Sequence, residues 1–144
     1  MTVRLTRLNP EYWRQIVAVS PLNLCEDTRA VVAVDGDEVV GAVVCDSWTT
    51  TACQAHIVIM KKSALKAGLI NEVADYVFNQ CGRIKIYGTV PADNEAALKL
   101  DKHIGFKEVA RLEDAYDWDI DYVLMELKKE DCPYWTPRSM VEAA

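Results

Sequence analysis

A strand–helix–strand succession in the middle of the chain constrains its fold more than any other feature. Residues 53–60 read as a strand, and Ile57, Val58 and Ile59 give it a continuous apolar core, the pattern of a strand buried on both faces. Residues 61–68 read as a loop. Leu69, Ile70, Val73, Tyr76 and Val77 then recur at helical spacing up to Gln80, and Gly82 is placed to end that helix. Residues 84–90 form the next strand, stopped by Pro91. A connection that contains a helix carries the chain back to its starting end, so the two strands must run parallel. The expectation is an α/β fold: a mixed sheet with these strands as parallel neighbours and helices on its faces.

The flanking segments extend this sheet. Residues 3–8 alternate apolar and polar side chains and read as a short strand. Asn9-Pro10-Glu11 supplies a helix cap, a proline at the first helical position and an acid in the first turn. The helix runs through Tyr12, Trp13, Ile16, Val17 and Val19 and stops at Pro21, with a loop over 22–28. Arg29–Asp35 and Glu38–Asp46 are β-branched runs, and Asp35-Gly36-Asp37 between them is a hairpin-turn signal. After Pro91, Asp93 or Asn94 caps a helix with Ala97, Leu100 and Ile104 on its apolar face, closed by Gly105-Phe106. Residues 109–112 and 122–127 read as a final strand pair. The order is β-α-β-β-β-α-β-α-β-β, one domain over 1–130 with a C-terminal tail at 131–144.

Composition narrows the partners. The 144 residues are 51% hydrophobic, with 16 basic against 22 acidic side chains and a net charge of −6. That is enough for one core, and no basic stripe points to nucleic acid. The five cysteines, Cys25, Cys45, Cys53, Cys81 and Cys132, are odd in number and lack C-x-x-C spacing, so free thiols in a reducing compartment are expected. With His56 and His103 as the only histidines, no metal site is expected. No run of 18 apolar residues and no signal-peptide pattern occur, so no membrane partner is expected. A cytoplasmic location follows, or a virion assembled there.

Two adjacent segments resemble the GNAT superfamily of N-acetyltransferases. The first is strand 53–60, loop 61–68 and helix 69–80. The second is the strand from Ile84 followed by Asn94-Glu95-Ala96-Ala97-Leu98-Lys99-Leu100-Asp101-Lys102-His103-Ile104-Gly105-Phe106. This stretch is similar to the family's asparagine, alanine three residues later and closing glycine-phenylalanine. The resemblance implies a GNAT-like twisted sheet in which strands 53–60 and 84–90 splay apart at their ends. It implies transfer of an acetyl group from acetyl-CoA, as cosubstrate, to a small-molecule or peptide amine acceptor. The implied cofactor-binding residues are Ile57, Val58 and Ile59 along the strand, Leu65, Lys66, Ala67, Gly68, Leu69 and Ile70 at the pyrophosphate, and Asn94 at the pantetheine arm. A loop entering a helix suits a pyrophosphate, because it offers unpaired N–H groups and the positive end of the helix dipole. Lys61, Lys62 and Lys66 add positive charge there, or form a solvated loop.

The chain departs from the family pattern in two places. Leu65, Gly68 and Ile70 stand where the family's loop has Gln or Arg, Gly, and Gly or Ala; in this the loop is similar to relatives found in bacteriophages. Asp101 stands seven residues after Asn94, where many members place a tyrosine that protonates the departing thiolate. An ionised carboxylate cannot give that proton, so Asp101 is expected at the helix edge in solvent, unless burial raises its pKa from about 4. The sequence leaves the catalytic base open. His56 is a packed strand residue or the base; Glu26, with Asp27, is an alternative base or surface charge. Glu113, Asp114, Asp117, Asp119 and Asp121, with Tyr116 and Trp118, form an acidic aromatic rim for a cationic amine, or a solvated hairpin tip. Pro133-Tyr134-Trp135-Thr136-Pro137 packs on its own domain or is a candidate anchor for a homo-oligomer or larger assembly. The alternative function is a catalytically inactive GNAT-fold binding or structural protein, such as a bacteriophage virion component.

Overall fold

The computed structural model describes residues 2–134; of the tail segment Pro133–Pro137, Trp135, Thr136 and Pro137 lie outside the described residues, as does the chain from 138 onward. Seven strands form one sheet in the order β1-β2-β3-β4-β5-β7-β6. They are β1 (Val3–Arg7), β2 (Arg29–Asp35), β3 (Glu38–Asp46), β4 (Ala52–Ile59), β5 (Lys85–Pro91), β6 (Lys107–Asp117) and β7 (Ile120–Lys128). Only β4 and β5 pair in parallel; the other neighbours are antiparallel. The helices are α1 (Pro10–Val19), a single turn α2 (Ser63–Lys66), α3 (Leu69–Ala74), which runs on as a π-helical segment (Asp75–Gln80), and α4 (Glu95–Ile104).

Local chemistry sets these boundaries. Asp35 pairs with Glu38, so Gly36-Asp37 is a two-residue hairpin loop, and Gly36 takes the positive φ of 63° that such a loop requires. Asn9 Oδ1 accepts the Tyr12 N–H at 2.8 Å and starts α1. Asn94, not Asp93, caps α4, accepting the Ala97 N–H at 3.2 Å. The core has two layers on opposite sheet faces. Tyr12 and Ile16 of α1 cover Val32, Val34, Ala42 and Val44. Leu69, Val77 and Phe78, with Ile104 of α4, cover Cys45, Cys53, Ile86 and Met125 on the other face. Cys45 touches Cys53; that hydrogen bond and burial push its thiol well above the ordinary range.

Three expectations need correction. Residues 61–68 are not an open loop: α2 winds within them, because Ala64 packs directly on Gly41 of β3. The final pair is longer than 109–112 suggests, since β6 is an edge strand with almost every residue exposed and so carries no alternation. β4 is not buried on both faces along its length. Ala52, Cys53 and Val58 are buried, whereas Gln54 to Ile57 are half-buried, because β5 leaves β4 at that point.

The seating of α2 generates a stability prediction. A Cβ at Gly41 would come 2.6 Å from the Ala64 Cβ and 3.3 Å from the Val58 carbonyl oxygen, and neither neighbour has a flexible end to swing away. Gly41→Ala should therefore cost about 1–3 kcal/mol, the usual penalty of overpacking, read from the urea midpoint. An unchanged midpoint would show that α2 is not held against β3.

Candidate active site

β4 and β5 share only three pairs, Ala52 with Lys85, Cys53 with Ile86 and Gln54 with Tyr87. Beyond them the strands part. Gly88 stands at the apex of the gap, where a Cβ would meet the Ala55 carbonyl oxygen at 2.8 Å. Past this apex the β5-facing backbone edge of β4 has no strand partner, although β4 stays paired with β3 up to Ile59. The gap forms a cleft of about 170 Å³ whose walls include Leu22, His56, Gly88, Thr89, Asn94 and Asp101.

His56 reaches the cleft from the α1 side of the sheet. It pairs with Val44, whose side chain lies under α1. Its Nε2 is 3.1 Å from Asp46 Oδ2, and both side chains are half-buried. Asp46 pairs with Gln54, so the His56–Asp46 contact is a diagonal one across two antiparallel strands. Sequence reasoning missed Asp46; the short polar connection between β3 and β4 was the signal, because it places the end of one strand beside the start of the next.

Asp101 lines the opposite, α4 side, and here the expectation of a solvated carboxyl is overturned. The residue is 8% exposed, and burial pushes its carboxyl up to about 6. Asn94, Ala97 and Asp101 lie three and four residues apart, so they share one stripe of α4, and that stripe faces the cleft. Among the described residues, no hydrogen bond or ion pair holds the Asp101 carboxyl; its backbone carbonyl accepts from the Gly105 and Phe106 N–H groups. Asn94 uses Oδ1 for the cap, leaving its Nδ2 as a donor.

The remaining candidates separate into two groups. Ile57 and Val58 line the cleft beside His56, and Ile59 continues the strand beyond it. Leu65, Lys66, Ala67 and Gly68 follow at the end of β4, but their N–H groups are bonded to the carbonyls of Lys62, Lys62, Ser63 and Leu65 at 3.0–3.2 Å. What remains for an anion is the leading N–H groups of α3, at Leu69 and Ile70, next to Gly68 with its φ of 92°. The Leu69 and Ile70 side chains belong to the core. Lys61 pairs with Glu38 at 3.1 Å, while Lys62 and Lys66 are exposed. Glu26 is exposed and does not line the cleft, and Asp27 accepts the Trp48 N–H at 3.1 Å. In the β6–β7 hairpin, Asp121 accepts from the Asp114 N–H, Asp114 from the Asp119 N–H and Asp117 from the Trp118 N–H, so three of the five acids tie the turn. The Ala92 N–H donates to the Asp121 carbonyl at 2.8 Å, which holds this hairpin, with Trp118 86% exposed, against the C-terminal end of β5. A larger cavity exists elsewhere, but the histidine and the buried carboxyl of Asp101 stand in this smaller one. Among the described residues, no group of three or more His, Cys, Asp and Glu side chains is placed to hold a metal. No described helix is long and apolar enough to cross a membrane.

No protein-family model and no curated protein matches the sequence. Solved structures do match the fold. Spermidine/spermine N-acetyltransferase SpeG from Vibrio cholerae is 19% identical over 89% of this chain and 93% of that chain, with a TM-score of 0.73. The spermidine N-acetyltransferase of the same organism, solved with CoA and spermine, is 18% identical over 90% and 96%, with a TM-score of 0.72. A GNAT-family protein from Desulfovibrio desulfuricans is 15% identical over 89% and 99%, with a TM-score of 0.72. The β4–β5 splay, the strand order and these superpositions agree: the chain has the fold of the GNAT acetyltransferases.

Proposed function

We propose that the chain is an N-acetyltransferase that uses acetyl-CoA to acetylate an amine. One observation carries this reading: the parallel strands part after three pairs, and His56 and Asp101 approach the gap from opposite faces of the sheet. The V. cholerae protein solved with CoA and spermine lends support, since its fold superposes on this chain. The residues present fit the cosubstrate. The free β4 edge at Ile57, Val58 and Ile59 offers backbone groups to the pantetheine amides, and Asn94 Nδ2 offers a donor. The Leu69 and Ile70 N–H groups, with Lys62 and Lys66, would hold the pyrophosphate.

The chemistry then divides between the two faces. The amine enters from the α1 side. Asp46 accepts from His56 Nε2, which leaves Nδ1 to take the ammonium proton. The amine nitrogen attacks the acetyl carbonyl carbon, its second proton passes to solvent, the tetrahedral intermediate collapses, and the carbon–sulfur bond breaks. Asp101, in its neutral form, gives its proton to the departing thiolate; the products are an amide and a free thiol. Filling the cleft expels water and favours the neutral carboxyl further. Holding both reactants in one cleft supplies much of the acceleration. Glu113, Asp117 and Asp119, with Tyr116 and Trp118, make the adjoining hairpin attractive to cationic amines such as polyamines.

Two experiments test this. Calorimetry with acetyl-CoA should show saturable binding that Gly68→Val weakens at least about tenfold, because a β-branched residue is strained at that positive φ. Binding that Gly68→Val leaves undiminished would remove the pyrophosphate from this turn, and wild-type protein that binds no acetyl-CoA would end the enzymatic reading. Asp101→Asn should lower kcat on the order of 10²-fold with spermidine as acceptor. Wild-type protein should lose rate on the alkaline side of about 6 as the acid ionises, and the variant should lack that limb. The raised carboxyl also links to stability. Its contribution is fully present below about pH 4 and lost as pH rises through about 6. In urea at pH 7.5, Asp101→Asn should then gain on the order of 2–3 kcal/mol relative to its own difference from wild type at pH 4. Equal kcat and superimposed pH profiles would take Asp101 out of the reaction.

A further inference from the structure

A larger cavity, about 810 Å³, lies away from the cleft, where β1 ends and β2 begins, between α1 and the π-helical continuation of α3. That volume is in the usual range for a small-molecule site. Its walls are unlike the rest of this acidic chain. Arg7 and Arg29 line it against a single carboxylate, Glu72, so the local charge is positive in a chain of net charge −6. Arg14 and Arg111 each pair with a glutamate. Arg7 has no polar partner among the described residues, and Arg29 donates only to the Glu26 and Thr28 carbonyls, at 3.1 and 2.8 Å. Those two bonds hold the guanidinium in place and leave it without a counter-charge.

Most of the remaining wall is apolar or aromatic, with Thr6, Asn9, Thr28 and Gln80 among it. Trp13 contributes from α1 and Tyr76 from the π-helical segment. Tyr76 is braced edge-to-face on Trp48 at 6.0 Å, and Arg83 stacks over Trp48 at 5.2 Å. A π-helical segment is a costly departure from α geometry and is frequent at functional sites; here it carries Tyr76 and Gln80 into the cavity wall.

From the unpaired guanidiniums, the braced aromatics and the volume, we propose that this cavity binds a small organic anion: a carboxylate or phosphate head on an apolar body. The head would meet Arg7 and Arg29, and the body would lie between Trp13 and Tyr76. The proposal is independent of the acetyl-transfer reading.

Calorimetry with decanoate, decyl phosphate and decylamine tests it, on wild-type protein and on Arg7→Gln/Arg29→Gln, with circular dichroism to confirm the fold of the variant. At least one of the two anions should bind at micromolar concentration, and the double substitution should weaken it about tenfold or more, as expected for loss of charge-assisted hydrogen bonds. The tighter of the two anions identifies the head group. Saturating CoA should leave this binding unchanged, which separates it from the acyl cleft. The proposal fails if decylamine binds as well as the anions, if the double variant binds them as tightly as wild type, if CoA displaces them, or if neither anion binds up to millimolar concentration.

Discussion

The parallel ladder between β4 and β5 stops at Gln54 and Tyr87, and the facing backbone groups beyond it are left for something other than a strand to satisfy. Each strand is otherwise fully engaged on its far side. β4 pairs with β3 from Asp46–Gln54 to Gly41–Ile59, and β5 pairs with β7 from Lys85–Lys128 to Pro91–Tyr122. The sheet is thus two antiparallel units joined by three parallel pairs. Gly88 keeps the apex tight, because any side chain there would strike the Ala55 carbonyl. Buried backbone donors and acceptors rarely stay unpaired, so an open edge of this kind is a place prepared for an extended polar ligand.

Around that edge, the environment gives two aspartates different characters. Asp46 has a histidine nitrogen at 3.1 Å. Asp101 has no counter-charge and little water, and its carboxyl rises toward neutrality. The same contrast between a partnered and a desolvated carboxyl separates bases from acids in many catalytic sites. On the proposed acetyl transfer, it would also let a carboxyl stand where many family members have a phenol, because burial, not residue type, decides whether a proton is there to give.

Much of the architecture was legible in the sequence because its signals are local. Asp35-Gly36-Asp37 marked the hairpin, Asn9 and Asn94 the caps, and the strand–helix–strand succession the parallel pair. What escaped depends on contacts between distant segments. The turn at Ser63–Lys66 forms because Gly41 makes room for Ala64. Asp101 is buried because β5 and Phe106 close over that stripe of α4, which no helical periodicity records. The π-helical register of Asp75–Gln80 leaves the heptad-like spacing of its apolar residues nearly intact. The strand of β6 was underestimated because a two-sided solvent environment erases alternation.

The cleft has a carboxyl on one face of the sheet and an imidazole on the other, so its walls belong to both sides of the sheet. Under the proposed acetyl transfer, an acyl donor and an acceptor arriving from opposite faces would not block each other's doorway. Either could dock first, and the shortened donor and the lengthened acceptor could leave in either order. Such a site has no need to store the acyl group on a side chain between two half-reactions, because both reactants can be present at once. That traffic pattern, one lane per face, would follow from the point at which two strands stop being neighbours.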